Sequence, residues 1–164
     1  MKLCIPCAGE LTNPFGATLF ENGQPVYTNA WGFHLGLDVA TQVGDAVRAI
    51  RTGRVLWAAE AGSLGLCVVL GHSDRSRSVY CHLSRIHAQA GTRIRAGRQI
   101  GLSGNTGLSF GPHTHIEIWV DGTRDVGDPF ALTRDDPTAL PADPHAIWRG
   151  YWPTVGIHQP GYGL

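Results

Sequence analysis

The chain is short of charge, of lysine and of long apolar runs. Charged residues make up 16% of its 164 positions, and Lys2 is its only lysine. That preference for arginine reads as coding bias. Thirteen basic residues balance thirteen acidic ones, so the formal net charge is zero. Nothing in this balance argues for a nucleic acid or an acidic membrane as partner. No apolar stretch approaches the roughly 20 residues of a membrane helix. The N-terminal stretch from Met1 to Cys7 carries one positive charge and a short apolar run broken by Pro6. It does not read as a signal peptide. Either an export leader is absent from this sequence, or the protein reaches its target by another route, such as holin-assisted release or a phage particle.

Cysteine is also scarce, with four in all. Cys4 and Cys7 form a CxxC, but a redox or zinc-knuckle site needs a βαβ context or a second pair at matching spacing. Neither is present, and the pair is expected near the surface. Cys67 and Cys81 fall in neighbouring strand candidates, where they are either a disulfide across a hairpin or two small buried hydrophobes.

What is plentiful is glycine, 22 residues, in a chain that is 43% hydrophobic. Few helix formers and short β-branched runs between turn signals predict an all-β domain. Its architecture is expected to be largely antiparallel sheets, sandwich- or barrel-like, with long groove-forming loops and few or no helices. Strands are predicted at 38–40, 46–50, 53–58, 65–71, 78–83, 92–95, 99–103 and 113–120. Loops and one or two short strands are expected over 11–30. Residues 84–88 read as a short irregular or one-turn segment. Residues 1–11 read as an irregular leader, 12–132 as the functional domain, and 133–164 as an aromatic, Pro-rich extension packed on it. Asp128 to Leu132 reads as a docking turn that closes the domain.

The stretch from Gly111 to Val120 stands out. Alternation in an extended chain puts His113, His115, Glu117 and Trp119 on one face and Thr114, Ile116, Ile118 and Val120 on the other. The second set reads as core. The first begins with two imidazoles side by side, which core packing does not require. Upstream, His34 is followed at the fourth position by Asp38. In a straight strand their Cα atoms would lie roughly 13 Å apart, so shared ligation requires a bend, which Gly36 permits. With His115 the set becomes two imidazoles and a carboxylate, the donor set of a catalytic zinc site with an open position. A structural site would be closed and thiolate-rich; Cys81 precedes His82 and is expected to point to the opposite face. His82 and His113 then remain, each able to act as general base or as donor to a developing oxyanion. His72, His87, His145 and His158 lack such a context.

Three motifs occur in order: His34-x-Gly-x-Asp38, Tyr80-x-His82-Leu83, and Gly104-x-Thr-Gly-x-Ser-x-Gly-Pro-His113-x-His115-x-Glu117. Together they resemble the lysostaphin-type (LytM-like) zinc endopeptidases that cleave bacterial peptidoglycan cross-links. The resemblance runs from about Asn13 to Leu132. It implies one zinc ion held by His34, Asp38 and His115, with His82 and His113 as the catalytic pair. It also implies a largely antiparallel β architecture with the site in a groove walled by loops. Zinc would polarise the scissile carbonyl and acidify a water, with one histidine as base and the other stabilising the oxyanion. The substrate class implied is peptidoglycan stem peptides or cross-bridges, met outside the cytoplasm at the cell wall by a monomer with no membrane span and no nucleic-acid partner. Asn105, Thr106 and Phe110, in the loop beside the groove, are expected to touch substrate. Thr114 stands where the family usually has leucine, and Phe110 where it has a small polar residue. The alternative function is a non-catalytic wall-binding or amidase-activating module; such relatives have lost zinc ligands, whereas here all are present. Glu117 is left with a structural or ligand-supporting role.

Overall fold

The structure, a computed structural model, describes residues 4–15, 17–18, 34–121 and 139–142. Among them are β1 (Leu11–Asn13), β2 (Leu37–Ala40), β3 (Ala46–Arg48), β4 (Gly53–Glu60), β5 (Leu66–Gly71) and β6 (Ser76–Leu83). They are followed by β7 (Arg85–Ile86), β8 (Arg93–Ile94), β9 (Gln99–Leu102), β10 (His113–Asp121) and β11 (Ala139–Ala142). One 3-10 turn, Gly62–Leu64, is the only helical element among the described residues. The larger sheet runs β1-β2-β10-β6-β5-β4-β8, with β11 also on β10; the smaller runs β3-β9-β7. Every pairing is antiparallel, as the turn-punctuated sequence predicts.

The alternation in β10 explains how the layers close. Ile116 and Ile118 enter a core cluster with Leu37, Val55, Val68, Leu70 and Tyr80 from the large sheet and Val47, Ile50 and Ile100 from beside or within the small one. Trp119 lies on the opposite face, in a second cluster with Leu35, Leu64, Cys67, Val69, Val79 and Cys81. The central strands β5 and β6 are therefore covered on both sides. This is why Leu66–Gly71 reads as a nearly continuous apolar run rather than an alternating one.

The expected strands flanking Arg51 and Thr52 are present, β3 in the small sheet and β4 in the large one. Two expectations need correction. The stretch 84–88 includes the short strand β7, paired with β9. Cys7 is not near the surface: it is 3% exposed and packs in the inter-sheet cluster. Backbone bonds from Cys4 N to the Ile50 carbonyl, from Arg48 N to the Pro6 carbonyl and from Ala40 N to the Glu10 carbonyl tie down the N-terminal segment that carries it. Burial, opposed by a hydrogen bond with Thr114, pushes the Cys7 thiol up to about 12. None of the four cysteines is in a disulfide, and Cys67 and Cys81 are the buried hydrophobes of the two readings. The docking turn at 128–132 and the extension at 133–164, apart from 139–142, lie outside the described residues, as do most of 11–30 beyond β1 and residues 31–33.

Candidate active site

The site grows from the register of three neighbouring strands. His115 of β10 stands opposite Asp38 of β2 on one side and Cys81 of β6 on the other. His34 comes in from the segment preceding β2. Gly36 makes this approach possible twice over, at the expected bend over Leu35 and Gly36 and by its absence of bulk. A Cβ there would lie 2.3 Å from the Ile116 carbonyl oxygen and 2.9 Å from the His115 ring. No side chain fits between the two strands at that point.

Three donor atoms converge. His34 Nε2 lies 3.0 Å from His115 Nδ1 and 3.3 Å from Asp38 Oδ1, and His115 Nδ1 lies 2.7 Å from the same oxygen. Ligands at tetrahedral angles about 2.0–2.2 Å from zinc are roughly 3.3–3.6 Å apart, so small outward shifts accommodate an ion. Each ligand is held from behind. His34 Nδ1 donates to the Pro14 carbonyl at 2.9 Å, His115 Nε2 to Glu117 Oε1 at 3.0 Å, and Asn13 Nδ2 to Asp38 Oδ2 at 3.3 Å. These bonds fix the tautomers so that both imidazole lone pairs point at one spot. Trp119 Nε1 donates to Glu117 Oε2 at 2.7 Å and anchors the buried carboxylate.

The electrostatics favour positive charge at this spot. Burial opposes a charged His115, but the hydrogen bonds to Asp38 and Glu117 outweigh it and raise the imidazole to about 10. Burial likewise opposes a charged Asp38, yet the bonds to His115 and His34 hold its carboxyl well below the usual carboxylate range. Once a cation displaces the proton held there, two inward lone pairs and a carboxylate form a donor set that fits one divalent ion. Among the described residues, His34, Asp38 and His115 form the metal-competent group.

The second pair of imidazoles lines the same site. The His82 and His113 rings are 4.6 Å apart between centroids, and His82 is 5.9 Å from His115. His82 reaches this place through a β-bulge. Leu66 pairs Leu83 and Val68 pairs Tyr80, so Cys81 and His82 together oppose Cys67. His82 sits at φ 58°, a left-handed conformation in which histidine is enriched among non-glycine residues. The bulge overturns the alternation expected here. Cys81 packs on the Trp119 side of the sheet, and His82 turns to the site as well.

His82 Nδ1 donates to the Thr106 carbonyl at 2.8 Å, and His113 Nδ1 to the Gly111 carbonyl at 2.8 Å. Both therefore keep Nε2 for chemistry; His113 Nε2 lies 3.6 Å from Asp38 Oδ1. Burial pushes His82 down to about 4, with His115 and His113 adding to the effect against its bond to Thr106, so it is neutral at neutral pH.

The three loop residues expected to touch substrate divide. Asn105 and Phe110 are exposed, Phe110 to 88%. Thr106 is used inside the fold: its hydroxyl donates to the Leu83 carbonyl at 2.6 Å and accepts from Leu66 N at 3.0 Å. Sequence reasoning missed Ser109, 3.1 Å from His113 Nδ1, and the Pro14 carbonyl behind His34. A loop hydroxyl and a backbone oxygen carry no chemical signature in a sequence.

Residues 32–126 match the family described as Peptidase family M23. The DD-carboxypeptidase/endopeptidase Mpg of Neisseria meningitidis is 34% identical over 112 residues, which cover 68% of this chain and 25% of that protein. The catalytic domain of lysostaphin from Staphylococcus simulans matches at 26% identity and a TM-score of 0.67, over 86% of this chain and 92% of that one. A zinc-containing peptidase from Vibrio cholerae matches at 28% identity and a TM-score of 0.60, over 69% of this chain and 35% of that one. The chain spans about a quarter or less of the length of the curated relatives it matches.

Proposed function

The chain belongs to peptidase family M23, and from that membership we propose that it is a zinc endopeptidase hydrolysing peptide cross-links of bacterial peptidoglycan. It acts on stem peptides or cross-bridges at the cell wall, outside the cytoplasm, as a monomer. Residues 12–132 form the catalytic domain, and the segment 4–11 packs into it as part of the same fold. The observation that carries this reading is the convergence of His34 Nε2, Asp38 Oδ1 and His115 Nδ1 beside a second pair of imidazoles.

His34, Asp38 and His115 would hold the zinc. The bound ion supplies Lewis acidity toward a carbonyl oxygen and makes water acidic enough to act as nucleophile near neutral pH. The chain's own residues do the rest. His82 and His113 present Nε2 to the groove, because each Nδ1 proton is committed to a backbone carbonyl. One takes a proton from the attacking water. The other donates a hydrogen bond to the substrate oxygen that gains charge. Asn105 and Phe110, exposed on the loop leading to His113, contact the substrate, while Thr106 holds His82.

The experiment pairs zinc content with digestion of purified sacculi. His34→Ala, Asp38→Ala and His115→Ala are expected to lose both metal and hydrolysis. His82→Ala and His113→Ala are expected to keep zinc and lose roughly a hundredfold or more in rate. A chelator is expected to stop the native protein. Undiminished sacculus digestion by the His113→Ala protein would remove that residue from the mechanism.

A further inference from the structure

The neutrality of the whole chain conceals a segregation of charge. Residues 46–100 hold nine arginines against two acids, Glu60 and Asp74. Arg51 and Arg77 are buried, and Arg51 pairs with Asp74 at 2.5 Å. The other seven are exposed. A coding preference for arginine accounts for the residue type but not for this placement.

Two of the seven meet in the sheet. Arg54 of β4 stands directly opposite Arg93 of β8, the edge strand. Like charges placed directly opposite destabilise an antiparallel pair. Among the described residues, no carboxylate pairs with Arg54 or Arg93, whereas Asp74 pairs with Arg51. Arg54 donates to the Gly91 carbonyl at 2.8 Å, which holds its guanidinium in place without neutralising it. Arg95, two residues beyond Arg93, is exposed as well.

The register shows which way this edge faces. Trp119, Arg77, Gly71, Arg54 and Arg93 are successive partners across β10, β6, β5, β4 and β8. Directly paired residues project to the same face. Arg54 and Arg93 therefore lie on the face that carries His115, four residues before Trp119. Ile94 agrees with this, since it packs against the inter-sheet core. The arginine edge is about 19 Å across the sheet and about 13 Å along it from the metal-competent cluster, at ~4.8 Å per strand and ~3.3 Å per residue.

We propose that Arg54, Arg93 and Arg95 form a second contact surface for the wall polymer, binding free peptide carboxylates of the strand whose cross-link lies at His115. This rests on the peptidoglycan reading above. The guanidinium fork fits a carboxylate through two parallel hydrogen bonds. A cross-linked polymer repeats its carboxylates, so a segment lying over the site continues across the same face. Contacts of this kind raise the effective concentration of the polymer at the site without taking part in hydrolysis.

The test is pelleting of the full chain with purified sacculi stripped of phosphate polymers, at low and high salt, for the native protein and for Arg54→Gln/Arg93→Gln/Arg95→Gln. Each exposed charge contact is worth up to about fivefold, so the triple variant is expected to bind roughly tenfold or more weakly at low salt. It is expected to cleave a short soluble cross-link peptide at the native rate. Arg93→Glu places opposite charges across the β4–β8 pair, and is expected to lose sacculus binding with an unchanged or raised melting temperature. Native-like pelleting by the triple variant overturns the proposal. So does a lowered melting temperature for Arg93→Glu, which would make the arginine structural. Charge-dependent binding found only on sacculi that retain phosphate polymers, only on phosphatidylglycerol vesicles or only on nucleic acid also overturns it. Failure of the native protein to digest sacculi would count against the peptidase reading, whereas pelleting reads the surface alone.

Discussion

Glu117 shows how much of a metal centre lies behind its ligands. It is 1% exposed, and both its oxygens are bonded, one from His115 and one from Trp119. A carboxylate in that place orients the His115 ring, fixes its tautomer and increases its basicity as a ligand. Glu117→Ala is therefore expected to weaken zinc binding about 10- to 100-fold, measured by competition with a chromogenic chelator. Trp119→Phe keeps the ring and removes only the N–H, so a smaller loss in the same assay is expected. If Glu117→Ala binds zinc as tightly as the native chain, the carboxylate only fills the core. Thr114 acts on the opposite face of the same strand. It is buried beside Thr41, 3.5 Å between hydroxyls, and hydrogen-bonds Cys7, so its departure from leucine matches a polar contact to the N-terminal segment.

At the scale of elements, the loop preceding β10 and the end of β6 act as one unit. The bulge turns His82 to the site, and Thr106 holds it there through its carbonyl, while its hydroxyl bridges β5 and β6. Glycines allow this close packing: a Cβ on Gly65 would lie 2.4 Å from the Thr106 hydroxyl, and one on Gly107 2.3 Å from Gly65 N. A residue at positive φ costs on the order of 1–3 kcal/mol, so His82 keeps its conformation only while these neighbours hold. Thr106→Val is expected to lower kcat about tenfold or more, within the range of a positioned acid–base group, with zinc content unchanged. Thr106→Ser is expected to restore most of it. A KM effect with native kcat would instead place Thr106 in substrate contact.

Across the whole molecule, the two faces of the large sheet do different work. One closes against the small sheet; the other carries the site at one end and the arginine edge at the other. The closed side contains a buried polar chain. His72 lies 3.1 Å from the Thr52 carbonyl and 2.9 Å from Ser78 Oγ, which is 3.0 Å from Tyr80 Oη, and Tyr80 in turn accepts from Ile50 N. Burial pushes His72 below its ordinary value, and Arg51 adds to this against the Thr52 bond and Asp74. The fold thus holds His72 neutral, while the unfolded chain takes up a proton below about pH 6.5. Folding stability is unaffected by this group above that pH and falls as the pH drops below it. An NMR titration is expected to show the His72 imidazole still neutral where an ordinary histidine is half protonated. His72→Asn is expected to flatten the dependence of melting temperature on pH below about 6.5. Ordinary titration of the native imidazole would remove the effect.

Sequence alone carried the β class, because glycine-rich turns and period-two alternation are local properties. It carried the face on which His113, His115 and Glu117 stand, because side-chain direction in a strand follows from position. It also carried the candidate ligands, because three motifs in order resemble those of the zinc endopeptidases, where the His34 and Asp38 spacing alone recurs by chance. What it did not carry depends on contacts between segments far apart in the chain. The bulge that brings Cys81 and His82 to one side, the need for Gly36 to leave a gap as well as a bend and the burial of Cys7 all arise from neighbouring strands. The hydroxyl of Thr106 was legible as a polar loop residue, but only the packing of the 62–65 turn against it decided that it faces inward. The charge total likewise concealed the arginine edge, since the opposition of Arg54 and Arg93 exists only once β4 and β8 are paired.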